Sequence, residues 1–472
     1  MERIDTDVLV IGAGSAGLSV AAGAVQMGAR VVLVEAGEMG GDCLNAGCVP
    51  SKALLAAAKA AWAPRGAGAF GVEALKPRVD YAAVMDHVQD VIATIAPVDS
   101  QERFEGLGVR VIRARARFTS HREVEAGGYV IRARRVVVAT GSRPVMPPIP
   151  GLDGVPYLTN ETLWDLRDRP GHLVIIGGGP IGIEMAQAHR RLGSAVTVIE
   201  GDRALGREDP ELAELVLARL QGEGVTLRQG VSVASVAGQA GEIRAELDDG
   251  TSVTGTHLLV ATGRKAVTDG LGLEAAGIAT SKAGIVTDAA MRTSNRRVFA
   301  IGDVAGGLQF THVAGYHAAT ILRPILFGLP ARTRTDHFPR VTYTDPELAQ
   351  VGLTEAEARA EHGSDMEVAR FDLSHNDRAI AERRPEGFIK AMVVKGRPVG
   401  VSIVAVDAGE HANLWALVLA NRLKMSQISA MVSPYPTVGE LSKRVAGAYF
   451  SPRLFDSSLV KRVVGLVQRW LP

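Results

Sequence analysis

One pattern occurs twice in this chain, and it leaves few folds open. "DVLVIGAGSAGLSVAAGAVQMGARVVLVEAG" begins at Asp7 and reads as strand, glycine turn, helix and second strand. Gly12, Gly14 and Gly17 stand in G-x-G-x-x-G spacing, and the second strand ends in Glu35. "HLVIIGGGPIGIEMAQAHRRLGSAVTVIEGD" begins at His172 and repeats the plan with Gly177, Gly179, Gly182 and Glu200. The acid follows the first glycine by 23 positions in both copies. In such a unit the first glycine makes the tight turn and the second lets backbone approach a pyrophosphate. The third allows helix and strand to pack closely. The helix N-terminus offers unpaired N–H groups and the positive end of its dipole to the phosphates. Glu35 and Glu200 are placed to accept from a ribose hydroxyl. Glu200 would repel a 2′-phosphate and so favours NAD, while Arg203 and Arg207 just beyond it keep NADP open.

Two dinucleotide sites in one chain point to two cofactors that exchange electrons. Two further segments, "RRVVVATGSRP" with Ala139, Thr140 and Gly141, and "HLLVATGRK" with Gly263, each read as a buried strand running into Ala-Thr-Gly. They are expected where the chain crosses between domains. "TSNRRVFAIGDVAGG" places Asp303 after a strand and between glycines, as a ligand for a ribitol or ribose hydroxyl or as a plain turn residue.

At 472 residues the chain is too long for one ordinary core, so two to four domains are expected. Hydrophobic residues make up 47% and charged residues 22%, a globular balance. A formal net charge of +1 carries no sign of a nucleic-acid binder. No apolar run reaches the roughly 18 residues of a membrane span, and Met1 to Asp5 does not read as a secretory leader. A cytoplasmic protein is expected.

The only two cysteines, Cys43 and Cys48, lie in "GGDCLNAGCVPSK". Residues five apart on an ideal helix have Cα atoms roughly 8–9 Å apart, whereas a disulfide needs less than about 7 Å. A bridge would therefore require a helix distorted between them, at Asn45 and Gly47, the residues that tolerate it. So small a ring stabilises a fold little and suits opening and closing. Two reduced thiols are the alternative.

These stretches together resemble the pyridine nucleotide–disulfide oxidoreductases, a family that includes dihydrolipoamide dehydrogenase, glutathione reductase and mercuric reductase. The resemblance rests on "GAGSAG", "GGDCLNAGCVPSK", "VVVATGSRP", "GGGPIGIE", "LLVATGR", "AIGDVAG" and "VTYTDPELAQVGLTE" and covers nearly the whole chain. It implies an α/β fold with two Rossmann-like dinucleotide-binding domains, for FAD and NAD(P), and a C-terminal α+β dimerisation domain. The expected borders are 1–150 and 271–335 for the FAD domain, 151–270 for the NAD(P) domain, 336–450 for the interface domain and 451–472 for a tail. It also implies a homodimer. Electrons would run from nicotinamide through FAD to a Cys43–Cys48 disulfide. Cys48 would be the thiolate nearest the flavin and Cys43 the thiol that attacks the acceptor. Lys52 would lie beside the flavin and pair with Glu184, and Asp303 would hold the ribitol. No resident metal is implied. Asp42 departs from the small hydroxyl residue that many relatives carry, and a carboxylate there would oppose a thiolate.

Near the C-terminus the disulfide reductases carry His-Pro-Thr-x-x-Glu. This chain has "SPYPTVGE": Glu440 is present and Tyr435 stands in place of the histidine. An ordinary tyrosine, with a pKa of about 10, is a poor proton acceptor at neutral pH. Pro-Tyr at this place resembles mercuric reductase, yet no second cysteine pair remains to hand over metal. Tyr435 packing at a dimer interface is the bland alternative. His312, His317 and His375 are expected to be structural or flavin-adjacent rather than replacement bases. The resulting expectation is a flavoprotein that passes electrons to a thiophilic metal ion or a small disulfide. Dihydrolipoamide dehydrogenase is the alternative, and a low-turnover flavoprotein that docks to a partner or membrane is a further one.

In "SSLVKRVVGLVQRWLP", helical spacing puts Leu459, Val463, Leu466, Val467 and Trp470 on one side. Lys461, Gly465 and Gln468 fall opposite, flanked by Arg462 and Arg469. Basic charge with a Trp suits an anionic membrane surface. A helix packed on the body of the protein is the reading the sequence favours.

Overall fold

The computed structural model describes residues 1–471. Strand Glu2–Ile11 is the centre of its first sheet. Val31–Glu35 and Tyr129–Val138 flank it in parallel, with Ile11 opposite both Val34 and Val138. Arg110–Arg113 extends one side, and Val298–Ala300 returns from far along the chain to pair with Tyr129–Val138 on the other. Its last four residues, Val8–Ile11, form an unbroken apolar run because both faces of the strand are covered there. Leu9 and Ile11 enter one core with Val136 and Val138. Val8 and Val10 enter the other with Val20, Ala24 and Ile321. That second core is lined by helix Ser15–Gln26 and helix Thr311–Leu326.

The second glycine motif follows strand His172–Ile176, which lies parallel between Ala195–Glu200 and His257–Val260. An antiparallel meander, Val233–Gln239, Glu242–Leu247 and Ser252–Gly255, packs its Val236, Ile243 and Ala245 into the same small core. The two Ala-Thr-Gly segments lead into Ser142–Pro144 and Arg264–Ala266, which pair antiparallel.

A five-stranded antiparallel sheet occupies the last third of the chain. Its order is Pro339–Thr342, Glu347–Gly352, Arg397–Ala405, Phe388–Val394, Met366–Asp372. Helices Ala408–Ala420 and Glu440–Phe455 share its core through Trp415, Leu441 and Val445. The architecture is thus mixed α/β with a separate antiparallel α+β region.

The described residues group into two compact units. One contains Met1–Gly177, Ala188–Gly201 and Val231–Arg334; the other contains Gly178–Gln187, Asp202–Gly230 and the chain from Thr335 onward. In the second unit Lys390 is almost fully buried and bonded to three carboxylates, Asp209 and Glu355 at 2.8 Å and Glu211 at 2.9 Å. No helix among the described residues is long and apolar enough to cross a membrane.

The tail forms helix Ser458–Trp470. The favoured reading, a helix packed on the body, is not what the structure holds: none of its residues is buried.

Candidate active site

The two glycine motifs are built alike, and the Ala-Thr-Gly segments explain why. Gly12 has φ +106°, and a Cβ there would lie 2.4 Å from the Ala139 carbonyl oxygen. Gly177 has φ +111°, and its Cβ would lie 2.4 Å from the Ala261 carbonyl oxygen. Each glycine is therefore needed twice over, for its conformation and for the space. A Cβ on Gly17 would lie 1.8 Å from the Gly12 carbonyl oxygen, so the first helix seats directly on the turn. Beyond their place at the ends of two strands, Ala139 with Thr140 and Ala261 with Thr262 thus back the glycine turns, a role their own pattern did not disclose, whereas Gly141 and Gly263 stand in open space. Thr140 donates to the Val267 carbonyl at 2.7 Å.

These residues fit a dinucleotide. Glu35 accepts from the N–H groups of Ala13 and Gly37, one on each carboxylate oxygen, and so keeps lone pairs for a ribose. Gly14 meets Gly40 in a bridge, and a Cβ on Gly41 would lie 2.7 Å from the Gly14 Cα. The first glycine turn thus abuts the cysteine segment. Asp303 accepts from the Ser142 hydroxyl at 2.6 Å, and burial pushes its carboxyl above the usual range. Gly179 has open space around its missing Cβ, and Glu200 ends its strand half-buried.

The cysteine segment is two helices, not one. Gly41–Asn45 stops, Ala46 and Gly47 break the path, and Cys48–Trp62 starts anew. A Cβ on Gly47 would lie 2.9 Å from Asp42 Oδ2 and 3.0 Å from its carbonyl, so a larger residue would crowd this turn. Asn45 has a different task from the expected one. It stays helical, and its amide donates to the carbonyls of Met39 and Gly41 at 3.0 and 2.9 Å.

Both cysteines are thiols in this structure, and they hydrogen-bond to each other. Their protons are unequally held. The Cys43 bond, the Thr311 hydroxyl at 3.4 Å and the charge of Lys52 bring Cys48 down to about 6. Its position as first residue of helix Cys48–Trp62 acts in the same direction. The Cys48 bond and burial push Cys43 far up, against bonds from Thr311 and Ser15. The pair therefore favours thiolate at Cys48 and holds its proton on Cys43.

Asp42 is held on both oxygens. Asn160 donates to Oδ1 at 3.1 Å, and Arg264 lies 3.2 Å from Oδ2. Arg264 also donates to the Ser142 hydroxyl at 2.8 Å and carbonyl at 2.9 Å. The Ala46 carbonyl at the helix break accepts from Asn160 and from the Trp164 indole. Sequence reasoning missed Asn160, Trp164, Arg264, Ser142 and Thr311.

Lys52 donates to the Ser51 hydroxyl at 3.3 Å. Glu184, in the other compact unit, accepts from the Tyr343 N–H at 2.9 Å. In that unit Tyr435 is 67% exposed and donates to Asp377 at 2.8 Å. The Asp377 carboxylate holds its hydroxyl above the ordinary tyrosine range. Glu440 opens helix Glu440–Phe455 and pairs with Arg444 at 3.4 Å. His317 is buried, accepts from the Gly302 N–H, and is pushed down by desolvation. His312 stacks on Phe310, and His375 ends a short turn before Asn376.

Comparison with known proteins shows the family. Residues 6–318 match the family described as pyridine nucleotide-disulphide oxidoreductase, and residues 338–446 match the dimerisation domain of that family. The chain belongs to the pyridine nucleotide-disulphide oxidoreductases and is an enzyme of that class, whose members use a flavin and a pyridine nucleotide. It is 34% identical to mercuric reductase of Streptomyces lividans over 457 residues, 94% of this chain and 96% of that one. It is 33% identical to dihydrolipoyl dehydrogenase of Bacillus subtilis (strain 168) over 450 residues, 91% and 96% of the two chains. Among solved structures, the Cu(II) complex of the HOCl-induced flavoprotein disulfide reductase RclA from Escherichia coli superposes with a TM-score of 0.82. That match has 29% identity and covers 93% of this chain and 99% of RclA.

Proposed function

We propose that this enzyme uses FAD and NADH to deliver electrons, through the Cys43–Cys48 pair, to a thiophilic metal ion. The observation that carries the proposal is the polarised thiol pair beside the first glycine turn. Bound there, a flavin supplies two-electron exchange between a nicotinamide and the pair. Gly12, Gly14 and Gly17 bind its pyrophosphate, Glu35 its adenosine ribose and Asp303 its ribitol. The second motif, with Gly177, Gly179, Gly182 and Glu200, binds NADH. Lys52 would stabilise negative charge next to the pair. Residues 338–446 join two chains in a homodimer.

Cys48 would be the thiolate that serves a bound flavin, and Cys43 the sulfur offered to the acceptor. A raised Cys43 is a poor nucleophile toward a small disulfide unless a base removes its proton. Tyr435 is a weak base. A soft cation needs no such base, because it binds thiolate and displaces the proton itself. For a two-electron acceptor such as Hg(II) the reaction balances as NADH plus M2+ giving NAD+, H+ and neutral metal, and for Cu(II) as NADH plus two Cu2+ giving NAD+, H+ and two Cu+. The mercuric reductase relatives and the copper-bound RclA structure support a metal acceptor.

Dihydrolipoamide dehydrogenase is the second reading, favoured by Glu440 and by the Bacillus relative. An acceptor panel decides between them. NADH oxidation by the holoenzyme is followed with Hg(II), Cu(II), lipoamide and small disulfides, in parallel with the Cys43→Ser and Cys48→Ser variants. Metal-dependent turnover that both substitutions abolish is the expected result. Turnover with lipoamide near the NADH–flavin rate overturns the metal reading, and metal reduction untouched by either substitution overturns the thiol route.

A further inference from the structure

We propose that helix Ser458–Trp470 lies on an anionic phospholipid surface and brings the enzyme to a membrane face. At 100° per residue its apolar and polar side chains separate completely. Leu459, Val463, Val464, Leu466, Val467 and Trp470 share one side, and all are exposed, Trp470 by 76% and Leu459 by 65%. The other side carries Lys461, Arg462 and Arg469, with no acidic residue anywhere in the helix. Nothing in the described protomer covers the apolar side, and the helix begins beyond residue 446, where the dimerisation match ends.

Charge decides the occupant. A second copy of this helix brings three more cations, Lys461, Arg462 and Arg469, and no acidic residue of its own to offset them. An anionic bilayer brings the opposite sign to every cation. A helix of this kind sinks its apolar face about 5–10 Å into the headgroup boundary and leaves its cations among the lipid phosphates. Trp470 suits that depth, since an indole has an apolar body and a polar N–H. The helix is also formed in advance. The Ser457 hydroxyl caps it by accepting from the Val460 N–H at 3.3 Å. The preceding helix is anchored by Arg453, which is bonded to Glu367 at 2.6 Å. Docking therefore orders little new chain.

Cosedimentation of the full-length holoenzyme tests this, with vesicles of phosphatidylcholine alone and of phosphatidylcholine mixed equally with phosphatidylglycerol. Wild type pellets with the mixed vesicles, and Leu466→Asp does not. Replacing Lys461, Arg462 and Arg469 together by Gln lowers partitioning by about fivefold for each cation lost. Both variants keep the flavin spectrum and soluble NADH oxidation. Equal pelleting of wild type and Leu466→Asp, or no pelleting of wild type, overturns the proposal. So does a smaller sedimentation coefficient for Leu466→Asp without lipid, which assigns the face to a second copy.

Discussion

The Asp42 carboxylate lies 3.2 Å from the Arg264 guanidinium, and Asp42 is the residue immediately before Cys43. Arg264 reaches on to Ser142, whose hydroxyl donates to Asp303. One cation therefore sits between a carboxylate at the cysteine turn and the carboxylate proposed for the ribitol. It offsets much of the repulsion that Asp42 would otherwise direct at a thiolate.

Asp42 still raises Cys48, so removing its charge should lower it further. The sign is fixed by charge: a nearby anion disfavours a second anion. Asp42→Asn keeps the shape and frees Arg264 to act on the sulfur. Thiolate absorbance of the reduced enzyme, titrated against pH, should show the Cys48 midpoint moving below about 6. An upward move would mean that Asp42 acts by holding the turn in place rather than by its charge.

Thr311 acts in the opposite direction. Its hydroxyl lies 3.4 Å from the Cys48 sulfur and favours the thiolate. Thr311→Val keeps the branched shape and removes the donor. A hydrogen bond to a charged group contributes about 1.5–3 kcal/mol, so the Cys48 midpoint should rise by about one pH unit or more. At pH 7 the thiolate would then fall from most of the population to about half or less. The rate of iodoacetamide alkylation against pH reads this directly, and an unchanged profile removes Thr311 from the site.

Much of this site was legible in the sequence where backbone must approach backbone. Gly12 and Gly17 stand out because no Cβ fits between strand, turn and helix, and such a demand writes itself as spaced glycines. Cys43 and Cys48 were readable for a similar reason, since a break between them needs Gly47. The partners that set their chemistry were not readable. Thr311 is 263 positions from Cys48, and Asn160 is 118 from Asp42. A polar contact over such a span leaves no period and no motif. Asn45 and the tail mark a second limit. Residue type said that Asn45 tolerates distortion, whereas its side chain braces a helix. Periodicity defined the apolar face of Ser458–Trp470, but only the folded chain reveals that nothing among the described residues covers it.

Tyr435 can be tested by restoring the missing base. Its hydroxyl donates to Asp377, which raises it further from use as a proton acceptor at neutral pH. In Tyr435→His the Asp377 carboxylate would be available to orient an imidazole, the arrangement a general base needs. Lipoamide-dependent NADH oxidation should rise at least about tenfold and gain an ascending limb near the histidine pKa of about 6.5. Metal-dependent turnover should gain no such limb. If lipoamide turnover stays flat, proton removal from Cys43 is not what limits disulfide reduction.

Lys390 separates stability from catalysis. It is buried among Asp209, Glu211 and Glu355, with 4% of its side chain exposed, and Asp209 is equally enclosed. Lys390→Met removes the one cation that all three carboxylates share. Breaking a buried network by deleting one partner costs about 3–5 kcal/mol, because the remaining charge stays desolvated. The thermal midpoint should fall, and the fall should be largest at neutral pH. The sign follows from the carboxylates: Lys390 holds Glu211 and Glu355 below their ordinary range. Their contribution is therefore present above the ordinary glutamate value of about 4.5 and is lost as pH drops through the lowered values. Lys390 itself is raised, so its share persists through neutral pH and fades only in alkali. Wild type and Lys390→Met should thus converge in acid and differ most near pH 7, which thermal melts across that range would reveal. Equal midpoints at pH 7 would mean that the three acids find water or other cations when Lys390 is gone.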